Sequence, residues 1–92
     1  MHYNTSQLIA HPARHAPMSE DVRHMVGRNV RRLRTAIGWS QAQLAERMGV
    51  DRAYVSSLEL GTRNATIITL WHVARALGVK LGSLFEERAR RK

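Results

Sequence analysis

Between Asp51 and Leu60 the chain carries Arg52, Ala53, Tyr54, Ser56 and Ser57, a set suited to hydrogen bonding and close apolar contact. A guanidinium such as that of Arg52 can donate two parallel hydrogen bonds to guanine O6 and N7, which discriminates against other bases by about 1–3 kcal/mol. Ser40 and Gln41 precede this stretch, and Arg63 and Asn64 follow it, adding hydroxyl, amide and guanidinium donors. The residue types needed for catalysis do not assemble. There is no cysteine nucleophile, no glycine-rich phosphate loop and no cluster of carboxylates or metal ligands. His11 and His15 have the i, i+4 spacing of a metal pair, but Pro12 between them opposes the helix that would align them, and no third ligand accompanies them. The reading is a non-enzyme with no metal and no cofactor.

The elements that must present these side chains are legible around them. Ser40 can cap a helix, and Gln43 three residues later completes a capping box. Leu44, Ala45 and Met48 then fall on one helical face. Gly49 stands where the chain must turn sharply, Val50 anchors the turn, and Asp51 opens a second helix in which Val55 and Leu58 face inward. Ala45 is small where two helices must cross closely. Two short helices joined in this way form a helix-turn-helix, whose second helix enters the DNA major groove.

The flanks supply the supporting helices. Ser19 can cap a first helix that starts with Glu20 and Asp21 and repeats Val22, Val26, Val30, Leu33 and Ile37 at helical spacing. Thr66 can cap a fourth, with Ile67, Leu70, Val73, Ala74 and Leu77 inward. Val79, Leu81, Leu84 and Phe85 suggest a short fifth helix, weakened by Gly82 by about 1 kcal/mol. Glycines 38, 49, 61 and 78 punctuate the first four helices. The expected fold is all-α, a compact five-helix bundle with the helix-turn-helix in helices 2 and 3. Residues 1–18 read as an N-terminal arm, 19–87 as the DNA-binding domain and 88–92 as a basic tail.

The 92 residues carry 15 Lys and Arg against 7 Asp and Glu, a net charge of +8 that favours a polyanionic partner. The charge is unevenly placed. Ser40 to Gly61 is nearly balanced, with Arg47 and Arg52 against Glu46, Asp51 and Glu59. The excess lies in Arg23, Arg28, Arg31, Arg32 and Arg34, and in Arg88, Arg90, Arg91 and Lys92. Double-stranded DNA is the expected partner, with the reading helix distinct from the main electrostatic attractor. The chain has no cysteine, no apolar run near the roughly 20 residues that span a bilayer, and no secretory-signal order at its start. A soluble cytoplasmic protein without membrane contact is expected.

From about Gly27 to Glu86 the chain resembles the Cro and phage-repressor, or XRE-like, helix-turn-helix family. The resemblance rests on NVRRLRTAIGWSQAQLAERMGV, DRAYVSSLELGTRN, TIITLWHVARALGV and LGSLF in that order. The DRAYVSSLELGTRN run is also similar to the controller proteins of restriction–modification systems. The resemblance implies a homodimeric transcriptional regulator on a palindromic or pseudo-palindromic operator. It assigns base reading to Arg52, Ala53, Ser56 and Ser57, and backbone contacts to Ser40, Gln41, Tyr54, Arg63 and Asn64. It also implies a structural ion pair between Arg34 and Glu59, and a dimer interface through Val79, Leu81, Leu84 and Phe85.

Plainer roles compete at several positions. Trp39 and Trp71 read as packing at the edge of the core, and Arg28, Arg31 and Arg32 serve equally well as a solvated face or as a grip on flanking backbone. Ile68 stands where the family has a polar residue, so the arm, through Leu8 and Ile9, or a partner subunit must cover it; the arm is the nearer candidate. Two rival functions stay open: an antitoxin or other protein-interaction module with a protein partner such as a toxin, and an RNA- or ribosome-binding protein.

Overall fold

The computed structural model describes residues 21–87, and among these every regular element is helical. Four α-helices run in order: α1 (Val22–Ile37), α2 (Gln41–Met48), α3 (Arg52–Leu60) and α4 (Ile67–Leu77). The fifth element is a 3₁₀ turn, Leu81–Phe85, in place of the expected fifth α-helix. Five residues beginning just after Gly78 and containing Gly82 are too few to establish an α-helical ladder. The arm, the basic tail and Ser19 lie outside the described residues. The α1 cap is Asp21, one position after the expected first helical residue Glu20, and its carboxylate accepts from the Arg23 backbone N–H at 2.8 Å. Arg23 also donates to Asp21 through its guanidinium, which holds the carboxyl well below the usual carboxylate range. The cap therefore stays ionised on acidification through the range where an unfolded aspartate takes up its proton.

The core is built from the inward faces the sequence indicates. Val30, Leu44, Val55, Val73 and Leu84 have no solvent exposure, and Leu58 and Ala74 almost none. Each such Val or Leu side chain contributes about 1.5–3 kcal/mol when fully buried. Packing runs chiefly between α1 and α3, between α2 and α3, and between the 3₁₀ turn and α1. Three expected inward residues lie outside the core: Val22, Ile37 and Ile67 are exposed. Each is the first or last residue of its helix, beyond the reach of the crossing partner. Trp71 is also exposed, because Leu70, Val73, Ala74 and Leu77 fill the inner face of α4; its ring stacks instead under the Arg75 guanidinium. Trp39 packs against the core edge as expected, with Arg47 over its ring at 4.3 Å.

Two polar or small residues fix how the layers approach. Asn29, fully buried, donates from its amide nitrogen to the Leu84 and Glu86 carbonyls at 2.9 Å each, fastening the 3₁₀ turn to α1. Gly27 lies where α1 crosses the end of α3, and a Cβ there would collide with the Leu58 and Glu59 carbonyl oxygens. Gly27→Ala should therefore destabilise the domain by about 1–3 kcal/mol, overriding the gain in helix propensity. Urea unfolding checks this; an unchanged or raised midpoint would show that α1 and α3 can separate without cost.

Candidate nucleic-acid interface

The helix-turn-helix is assembled by its caps. Ser40 Oγ accepts from the Gln43 N–H at 3.0 Å while Gln43 Oε1 accepts from the Ser40 N–H at 2.7 Å, a complete capping box. This commits both the hydroxyl and the amide of Ser40 to the helix. The first N–H groups of α2, at Gln41 and Ala42, have no carbonyl within the helix to bond and point out of its N-terminus. An anion held there meets both these donors and the positive end of the helix dipole. Gly49, at φ 72°, closes α2, and the Val50 N–H reaches back to the Ala45 carbonyl at 3.0 Å. Asp51 occupies the cap position of α3 but makes no side-chain cap bond.

Beneath the motif lies a chain of charged and polar groups. Glu59 receives two hydrogen bonds from Arg34, from Nε at 2.6 Å and Nη2 at 2.9 Å. Their side chains are only 3% and 10% exposed. Arg34 Nη1 also donates to the Trp39 carbonyl at 2.8 Å, so the pair spans α1, α3 and the α1–α2 link. The Glu59 hydrogen bond raises the Arg34 pKa above its ordinary value, against the opposing effect of burial. Gln41 extends the chain outward: its Nε2 donates to Glu59 Oε1 at 3.0 Å, and its Oε1 accepts from Arg52 Nη1 at 3.1 Å. Arg52, exposed at the start of α3, is thus connected through Gln41 to the buried ion pair. Sequence reasoning gave Gln41 a backbone contact and missed this bridge; its position directly after the α2 cap was the available signal.

A second cluster forms at the far end of α3. The Arg63 guanidinium stacks over the Tyr54 ring at 4.4 Å, and its Nε donates to Ser57 Oγ at 3.2 Å. Ser57 Oγ in turn donates to the Tyr54 carbonyl at 2.9 Å. Ala53 is exposed, Ser56 half-buried, and Asn64 exposed in the loop beyond. The structure therefore brings Gln41 and Arg52 together, and separately Tyr54, Ser57 and Arg63.

The residues expected to form a dimer interface fare differently. Leu84 is completely buried in the protein's own core and presents no surface to a partner. Val79 and Leu81 are half-buried and pack against the same core. The 3₁₀ turn is held down on α1 by Asn29, so these side chains point inward, and among the large apolar residues of this group Phe85 is the exposed one.

Residues 30–84 match the helix-turn-helix family HTH_3, the XRE-like class. This chain belongs to that family. The HTH_3 chain is 49% identical over 59 residues to an uncharacterized HTH-type transcriptional regulator, y4dJ, of Sinorhizobium fredii, covering 64% of this chain and 77% of that protein. Control protein C.SmaI of Serratia marcescens is 39% identical over 64 residues, 70% of this chain and 76% of that protein. Among solved structures, the restriction-modification controller protein C.AhdI from Aeromonas hydrophila superposes with a TM-score of 0.66 at 40% identity, over 68% of this chain and 91% of that one. Family membership places the protein among DNA-binding transcriptional regulators, a class that is not enzymatic. No helix among the described residues is long and apolar enough to cross a membrane.

Because Arg34 and Glu59 are desolvated together, Arg34→Ala should cost about 3–5 kcal/mol by leaving the Glu59 carboxylate buried without its cation. Equilibrium denaturation reads this directly; a loss below about 1 kcal/mol, the range of exposed pairs, would show that water reaches the site.

Proposed function

We propose that this protein is a cytoplasmic, sequence-specific regulator that binds, as a homodimer, an operator with two-fold related half-sites. The observation that supports this most directly is the polar relay from the Arg34–Glu59 pair through Gln41 to Arg52. It fixes the exposed N-terminal end of α3, and with it a guanidinium, before DNA arrives. Pre-ordering of this kind removes part of the side-chain entropy cost of binding. In this reading Arg52 contacts a guanine edge, Ala53 lies against a thymine methyl, and Ser56 faces the groove. The Gln41 and Ala42 amides take a phosphate at the α2 N-terminus, with Ser40 building the site through its cap. Tyr54, Arg63 and Asn64 contact backbone farther along, and Ser57 acts by orienting Arg63.

The division of labour follows from charge. With Glu59 neutralised by Arg34, the exposed charges of α2 and α3 are Arg47 and Arg52 against Glu46 and Asp51. Long-range attraction is supplied by the basic residues outside the motif, and discrimination by α3. Two such helices related by a dyad enter successive major grooves about 34–36 Å apart.

Selection from a random duplex pool should return a palindromic consensus. On that consensus Arg52→Ala should lose preference at one base position, a penalty of about 1–3 kcal/mol, while binding random DNA nearly as well as the parent. Equal losses on both duplexes would reduce Arg52 to a phosphate contact. For Arg63→Ala, affinity measured as a function of salt should give a shallower slope, by about 0.9 for each phosphate contact removed. A slope identical to the parent's would take Arg63 off the backbone.

A further inference from the structure

Among the described residues, Asp21, Ser40, Asp51 and Thr66 each stand at the head of an α-helix. Three of them bond their side chains to it: Asp21, Ser40 and Thr66 accept from a backbone N–H two or three positions on. Asp51, at the head of α3, does not. One of the N–H groups that a capping carboxylate there would take, that of Tyr54, is bonded at 2.9 Å to the backbone carbonyl of Asp51 itself. Its neighbour Arg52 donates to Gln41 instead, whereas Asp21 holds the Arg23 guanidinium at 2.7 Å. No hydrogen bond or ion pair among the described residues engages the Asp51 carboxylate, and the residue is exposed.

An acid in this place meets the phosphates of a duplex as a like charge, and no partner in the fold offsets it. A carboxylate is also an acceptor only. The donors it can use in the major groove are the exocyclic amino groups, N4 of cytosine and N6 of adenine; guanine O6 and N7 and thymine O4 are all acceptors. Every base pair carries one such amino group, so an acceptor-only side chain senses which strand carries it. Position supplies the rest. Aspartate is short and can touch a base edge only from the end of a helix that leads into the groove, where Asp51 lies. It is one residue from Arg52, about 3.8 Å between Cα atoms, close to the roughly 3.4 Å between base pairs.

We propose that Asp51 is a second base-reading residue, accepting from a cytosine or adenine amino group on the base pair that Arg52 reads or the one beside it. The inference rests on the reading in which the start of α3 enters the major groove, and it adds a class of base edge to that reading. Arg52 offers donors only and Asp51 acceptors only, so the two adjoining side chains select opposite edges. A G·C pair satisfies both at once, guanine through O6 and N7 and cytosine through N4.

Selection from a random duplex pool, run with the full chain and with Asp51→Ala and Asp51→Gly, tests this. Glycine is well tolerated at a helix cap, so it separates base reading from helix initiation, and urea unfolding verifies that the variants stay folded. The parent should prefer cytosine or adenine over guanine or thymine on one strand, within one base pair of the position that Arg52→Ala relaxes. Both variants should lower that discrimination about tenfold, while binding random duplex at least as tightly as the parent. A second measurement needs no variant: 2-pyrimidinone for cytosine, or purine for adenine, removes only the amino group and should weaken the parent about tenfold. A parent indifferent to that removal, or variants that keep every base preference or weaken on all duplexes alike, would overturn the role of Asp51 and leave reading by α3 standing. A parent that returns no consensus at all would overturn the reading by α3, and this inference with it.

Discussion

A carboxylate that is 3% exposed cannot stay charged without compensation, and the Glu59 carboxylate obtains it from two neighbouring helices at once. Arg34 on α1 supplies two hydrogen bonds, Gln41 on α2 supplies another, and Glu59 itself belongs to α3. The Trp39 carbonyl accepts from Arg34 Nη1 and pins the link between α1 and α2. None of these partners can move far without exposing an unpaired charge. The angle between α2 and α3, the quantity that decides how the motif meets DNA, is thereby coupled to α1. Hydrophobic packing alone is less directional, and Val30, Leu44, Val55 and Leu58 would tolerate small slides that the ion pair forbids.

The close crossing of α1 and α3 is the steric counterpart of this electrostatic lock. Gly27 lets the α1 backbone touch the carbonyls at the end of α3, one of which belongs to Glu59 itself. At the other end of the domain, Asn29 satisfies two carbonyls of the 3₁₀ turn from within α1. Helix α1 is therefore a spine: one face takes the motif, another takes the terminal turn, and both are fixed by polar groups in defined places.

Most of the fold was legible because its signals are local. Ser40 with Gln43, Gly49, Gly61, Thr66 and Gly78 all mark helix ends where the structure has them. The inward positions of α2 and α3 follow from spacing. What sequence could not show depends on reach across space. Ile67 fits a helical period yet lies exposed, because period says nothing of whether a neighbour extends that far. Leu84 reads as interface or core with equal ease until the Asn29 clamp shows which way the turn folds. The Arg34–Glu59 pair was suggested by resemblance, whereas the Gln41 bridge joins residues 11 and 18 positions apart and no local pattern announces it.

The relay from Glu59 to Arg52 grades the cost of sequence change along its length. At the inner end, loss of Arg34 or Glu59 strands a buried charge. Gln41 in the middle has one side-chain atom committed inward and one outward, so its replacement disturbs both stability and presentation. Arg52 at the outer end is solvent-exposed, and its removal strands nothing that water cannot reach. Mutational drift is therefore channelled to the outermost position. On the proposed reading, in which Arg52 meets a base edge, a duplicated copy of this gene acquires a new operator by changing residue 52 while its folding remains intact, so divergence of regulatory targets is decoupled from survival of the fold.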